Sequence, residues 1–71
     1  MKLGEYIKQE RTRRGYTLES LSDEVEISVQ YLGMLERGER TNPRWEVLSR
    51  IAKILRLDLV KVYTENHQVI R

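Results

Sequence analysis

Seventy-one residues without a cysteine make one small domain with no disulfide to staple it, and a chain this short buries only roughly 60% of the surface its unfolded form exposes. Thirteen basic against eleven acidic side chains leave a net charge of +2, too mild an excess to argue for nucleic acid until the charges are placed. No run is apolar for long enough to form a signal-peptide core or to cross a bilayer, and His67 is the single histidine. Membrane spans, zinc staples and histidine-based catalysis are therefore set aside in favour of packed helices in a reducing cytoplasm.

Apolar residues recur at three and four, and Gly and Pro fall at the breaks between periodic segments, apart from Gly4 and Gly33. That is an all-helical pattern. A first helix is expected over residues 3–14, ending at Gly15, with Arg13 and Arg14 in the last turn where cations suit the helix dipole. Thr17 is placed to cap a second helix over 18–25 that turns Leu18, Leu21 and Val25 inward. After a turn through Glu26 and Ile27, Ser28 caps a third helix over 29–37, and Gly38 ends it. Pro43 suits the first position of a fourth helix. The stripe of Trp45, Leu48, Ile51, Ala52 and Leu55, broadened by Val47 and Ile54, is wide enough for a central helix, with Trp45 read as core. Asp58 is placed to cap a short last helix holding Leu59, Val62 and Tyr63. The domain is drawn at 1–66 and residues 67–71 are left as a tail.

Two charges interrupt apolar stripes. Leu3, Ile7 and Arg11 share one face of the first helix, and Leu32, Leu35 and Glu36 share the inner face of the third. A charge on a buried stripe is costly unless paired, so Arg11 and Glu36 are expected to meet, fixing the third helix against the first. The alternative is that each long side chain reaches water on its own.

The eight-residue second helix, tight turn and nine-residue third helix have helix-turn-helix spacing. From Ile7 to Tyr63 the chain resembles the Cro/cI-type helix-turn-helix family, also called the xenobiotic-response-element family. The resemblance is carried by Arg11 with Gly15, TLESL at 17–21, IS at 27–28, LERGERTNP at 35–43, Leu48, Ile51-Ala52, Leu55 and the closing LDLVKVY. With YL before the ERG turn and TNP after it, the sequence is similar to biofilm-switch repressors of spore-forming bacteria. The resemblance implies a compact five-helix bundle of the lambda-repressor-like DNA-binding type, a role in transcriptional regulation, and binding to operators as a dimer. It also implies an inward Arg and Glu, matching Arg11 and Glu36. The chain departs from the family pattern at Leu18, where a phosphate-holding Gln is common, and at Glu26, where Gly is usual and a left-handed backbone is expected. The second helix further gathers Glu19, Asp23, Glu24 and Glu26 into an acidic surface.

The outward face of the third helix carries Gln30, Gly33, Met34 and Arg37, with Val29 at its leading end, the face a recognition helix turns to the major groove. Gln30 is the best base reader, able to bond adenine bidentately, while Val29 and Met34 suit a thymine methyl and Gly33 a close backbone approach. Tyr31 either reaches a phosphate with its hydroxyl or packs half-buried against the loop. Anchoring is expected from the helix N-termini beside Thr17 and Ser28, and from Arg37, Arg40, Thr41, Asn42 and Arg44 around the following loop. The resemblance places Arg44 near an adjacent minor groove. Arg13 and Arg14 are explained by the dipole as well as by DNA, and Arg50, Lys53 and Arg56 are read as solvated.

No catalytic constellation, metal site, cofactor motif or small-molecule pocket stands out, so no enzyme is expected. The partner expected is double-stranded DNA, bound at a near-palindromic operator by a homodimer, since one such unit covers too little DNA for tight specific binding. Val60, Tyr63, Val69 and Ile70 place the dimer contact at the C-terminal end, with Trp45 as the alternative contributor should it not be core. The rival reading is a protein-interaction module or anti-repressor that kept the fold and lost the operator.

Overall fold

The computed structural model describes residues 2–60. Among them are four helices and no strand: α1 (Leu3–Arg13), α2 (Leu18–Val25), α3 (Val29–Arg37) and α4 (Trp45–Leu55). The architecture is thus all-α, with four helices where five were expected. Leu59 and Val60 are helical, while the rest of the expected last helix, with Val62 and Tyr63, and the tail 67–71 lie outside the described residues.

Local chemistry sets most boundaries. Thr17 and Ser20 form a reciprocal capping box, in which Ser20 N–H donates to Thr17 Oγ1 at 3.0 Å and Thr17 N–H donates to Ser20 Oγ at 2.9 Å. Ser28 Oγ accepts from Tyr31 N–H at 3.0 Å and starts α3. Gly38 ends it at φ 81°, a conformation open to glycine, and lets Glu39 N–H reach back to Met34 O at 2.9 Å. The start of α4 differs from expectation. Arg44, extended at φ −62° and ψ 149°, is its N-cap, and the helix begins at Trp45. Pro43 therefore belongs to the loop, because its fixed φ suits extended backbone as well as a first helical turn.

That shift of two residues moves Trp45 to the very end of the bundle, where it is 67% exposed and not part of the core. The core is made by Ile7 of α1, Leu21 and Val25 of α2, Leu32 and Leu35 of α3, and Ile51 and Leu55 of α4. The most extensive helix packing is between α1 and α3, with α4 resting on α1 and α2, so α4 is a flank and not the centre. After α4, Asp58 N–H donates to Tyr6 Oη at 2.9 Å and ties the emerging chain back to α1.

Glu26 closes α2 in the left-handed region, φ 67° and ψ 43°. Arg50 is not merely solvated. Its Nη1 crosses from α4 to donate to Val25 O at 3.0 Å, satisfying a carbonyl at the C-terminal end of α2, and lies 3.9 Å from the Glu26 carboxylate. A side chain with a Cβ is strained at such a φ by about 1 kcal/mol, and the exposed Glu26–Arg50 pair returns little. Glu26→Gly is therefore expected to raise the melting temperature by about 4–8 °C in a domain of this size, measured by thermal circular dichroism.

Candidate nucleic-acid interface

Beneath the interface lies the pair that seats α3. Arg11 Nε donates to Glu36 Oε2 at 2.6 Å and Nη2 to Oε1 at 3.1 Å, a fork-to-fork contact between α1 and α3. Arg11 Nη1 also donates to Tyr16 O at 2.8 Å, fixing the loop that leads into Thr17. Both side chains are buried, 10% and 5% exposed, and no buried polar side-chain atom among the described residues is left without a partner. One guanidinium thus joins α1, α3 and the start of the helix-turn-helix.

The outward side of α3 is uneven. Gln30 and Arg37 are exposed, Val29 and Met34 are half-buried, and Gly33 is buried. Gly33 was expected to be open to an approaching backbone, but the Arg37 side chain folds back across it. A Cβ placed on Gly33 would stand 3.0 Å from Arg37 Nη1. Tyr31 is half-buried against the core, and the Arg40 guanidinium lies 5.8 Å from its ring centre, within cation–π range.

The two helix starts offer backbone donors. The cap at Thr17 leaves the N–H groups of Leu18 and Glu19 without an intrahelical acceptor, and the cap at Ser28 leaves those of Val29 and Gln30. Such donors suit a phosphate oxygen. Leu18 is half-buried and packs against the core. Its side chain is an apolar strut at the start of α2. Past α3, Arg40, Thr41, Asn42 and Arg44 are all exposed, forming one polar loop that follows Arg37 in sequence. The acidic Glu19, Asp23, Glu24 and Glu26 are exposed too.

Two partners were not foreseen from the sequence. Glu10, on α1, takes Arg13 at 2.6 Å and Arg14 at 3.6 Å. The i+3 and i+4 spacing was the available clue. The hydrogen bond from Arg13 and, after it, the Glu10 charge hold that guanidinium above the ordinary arginine range. Glu39 takes Arg37 through two bonds, Nε to Oε2 at 2.9 Å and Nη2 to Oε1 at 3.2 Å. No group of three His, Cys, Asp or Glu among the described residues is placed to hold a metal, and no described helix is long and apolar enough to cross a membrane.

The profile of the helix-turn-helix family matches residues 7–62. The chain belongs to that family, in its Cro/cI branch. It is 30% identical over 66 residues to the HTH-type transcriptional regulator SinR of Bacillus subtilis, a match covering 93% of this chain and 60% of SinR. With the regulator DdrOP3 of Deinococcus deserti it shares 46% identity over 52 residues, 73% of this chain and 40% of that one. The crystal structure of SinR in complex with DNA, the master regulator for biofilm formation, superposes with a TM-score of 0.76 at 30% identity, covering 84% of this chain and 95% of that one. This helix-turn-helix chain spans about half the length of the curated relatives it matches.

Proposed function

We propose that this chain is a sequence-specific DNA-binding transcriptional regulator, a repressor acting in the cytoplasm, that inserts α3 into the major groove of operator DNA. The observation that carries the reading is the likeness to the DNA-bound SinR structure over 84% of the chain. The family, one of DNA-binding transcription regulators, supports it. On this reading Gln30 reads a base edge, Val29 and Met34 meet thymine methyls, and Arg37, Arg40, Thr41, Asn42 and Arg44 grip the backbone with the amides beside Thr17 and Ser28. Gly33 serves by letting Arg37 lie flat along the helix. Tyr31 acts through packing and by carrying Arg40.

The working unit is a homodimer on a near-palindromic site, joined through the C-terminal end of a domain drawn at 1–66. Two exposed apolar side chains support that placement, Trp45 at 67% and Val60 at 74%. Tyr63, Val69 and Ile70, the other residues expected at the contact, lie outside the described residues.

Selection of bound duplexes from a random library tests these points together and should return paired, inverted half-sites. Binding to a selected duplex should weaken roughly tenfold to a thousandfold between 50 and 200 mM salt, as a few phosphate contacts per subunit require. Gln30→Ala is expected to relax base preference at one position, losing about 1–3 kcal/mol of discrimination. Arg44→Ala should instead weaken all duplexes alike and flatten the salt slope by about 0.9 per subunit. Specific binding to no duplex at low salt would return the reading to a protein-interaction module.

A further inference from the structure

Arg37 stands at the end of α3 among the residues assigned to the DNA backbone, yet its guanidinium is already engaged. Glu39 takes it edge-on through Nε and Nη2, at 2.9 and 3.2 Å. The arrangement is held from both sides. The turn at Gly38 lets Glu39 N–H and Arg40 N–H both return to Met34 O, at 2.9 and 3.2 Å, which pins the backbone that carries the carboxylate. On the other side the absence of a Cβ at Gly33 leaves room for Arg37 Nη1 to lie back along the helix.

We infer that Glu39 is a built-in competitor for phosphate, an affinity-setting residue that occupies Arg37 until operator DNA displaces it. This rests on the DNA-binding reading above and adds a regulator of affinity to it. The pair is strong enough to form and weak enough to yield. Its hydrogen bonds, and after them the opposite charges, hold the Arg37 guanidinium above and the Glu39 carboxyl below their ordinary ranges. Both side chains are more than half exposed, 59% and 55%, so water and salt screen the attraction and a phosphate diester can replace the carboxylate on the same donors. Until that exchange, Arg37 and Glu39 together present no net charge to DNA, and the loop's attraction falls to Arg40 and Arg44. A loosely seated, non-specific complex leaves the exchange undone. Only a complex in which α3 sits deep enough to bring a phosphate to Arg37 gains the contact.

The test compares the whole chain with its Glu39→Gln, Arg37→Ala and double variants by fluorescence anisotropy, on a library-selected duplex and on a random one, from 50 to 200 mM salt. Glu39→Gln is expected to tighten binding most on the selected duplex, where the pair no longer has to be broken, so that discrimination between the duplexes widens. On the random duplex, where the wild-type Arg37 stays with Glu39, the salt slope should steepen by about 0.9 per subunit, equivalent to about a threefold wider spread of Kd across that salt range. In the Arg37→Ala background the gain from Glu39→Gln should fall below half. An equal gain with and without Arg37 would make Glu39 a charge that repels DNA directly, and weaker binding by Glu39→Gln would make it a support that aims Arg37. Either result overturns the inference while leaving the DNA-binding reading intact. Binding by none of the proteins at 50 mM salt overturns that reading and the inference with it.

Discussion

Glu36→Ala should cost about 3–5 kcal/mol, on the order of half the stability a domain of this size possesses. The substitution removes the acceptor for two of the three bonds made by Arg11 and strands a guanidinium that is only 10% exposed. Tyr16 O, the third acceptor at 2.8 Å, is neutral and does not offset the charge. Urea denaturation followed by circular dichroism checks this. The midpoint should fall strongly with an unchanged slope, since the same surface is exposed on unfolding. The pair's value depends on its being complete. Arg11→Met combined with Glu36→Leu is expected to recover most of the loss, because apolar residues of similar volume avoid the desolvation penalty altogether. A Glu36→Ala variant with a nearly unchanged midpoint would mean that Arg11 reaches water by another route. The loss carries into function, since the same guanidinium holds the seat of α3 and the loop before Thr17.

The sequence discloses those features whose cause lies within a few residues. Thr17, Ser28 and Gly38 end or begin helices by bonding their own neighbours, so the bounds of α2 and α3 are legible from residue type and position. Arg11 and Glu36 are legible for a different reason: a charge on an apolar stripe demands a partner, and each offers the other an opposite charge on the inner face of a different helix. What stays hidden depends on the third dimension. A polar loop two residues longer than expected moves Trp45 from core to surface. Arg50 looks solvated on a helical wheel, but its length takes it across to Val25 O on another helix. Glu39 is unremarkable in the string ERGER, and only the turn at Gly38 folds it back onto Arg37. The outer face of α3 is a middle case. Its periodicity places Gln30, Gly33, Met34 and Arg37 together, but whether Gly33 is open depends on the rotamer of Arg37.

Gly4 is the position at which ordinary helix propensity should fail outright. In an exposed helix interior, Gly→Ala stabilises by about 1 kcal/mol, because alanine restricts the unfolded chain. At Gly4 the expected sign is reversed. A Cβ there would lie 2.3 Å from Leu35 O and 2.7 Å from Glu36 O, both backbone atoms of α3 that cannot swing aside as a side-chain tip would. The first turn of α1 rests directly on the last turn of α3, and no other residue type permits that approach. To fit a methyl group, α1 must lift from α3, opening the most extensive helix contact of the bundle. The net cost of Gly4→Ala is expected to be about 2–3 kcal/mol or more, since the overpacking strain exceeds the propensity gain. Because Glu36 belongs to the displaced turn, the clash and the Arg11–Glu36 pair are parts of one contact. Gly4→Ala should therefore cost less in a Glu36→Ala background than alone, a coupling of about 0.5–3 kcal/mol in a double-mutant cycle. Strictly additive losses would show that α1 can shift without disturbing the ion pair. A gain in melting temperature for Gly4→Ala alone would show that the two helices do not meet backbone to backbone.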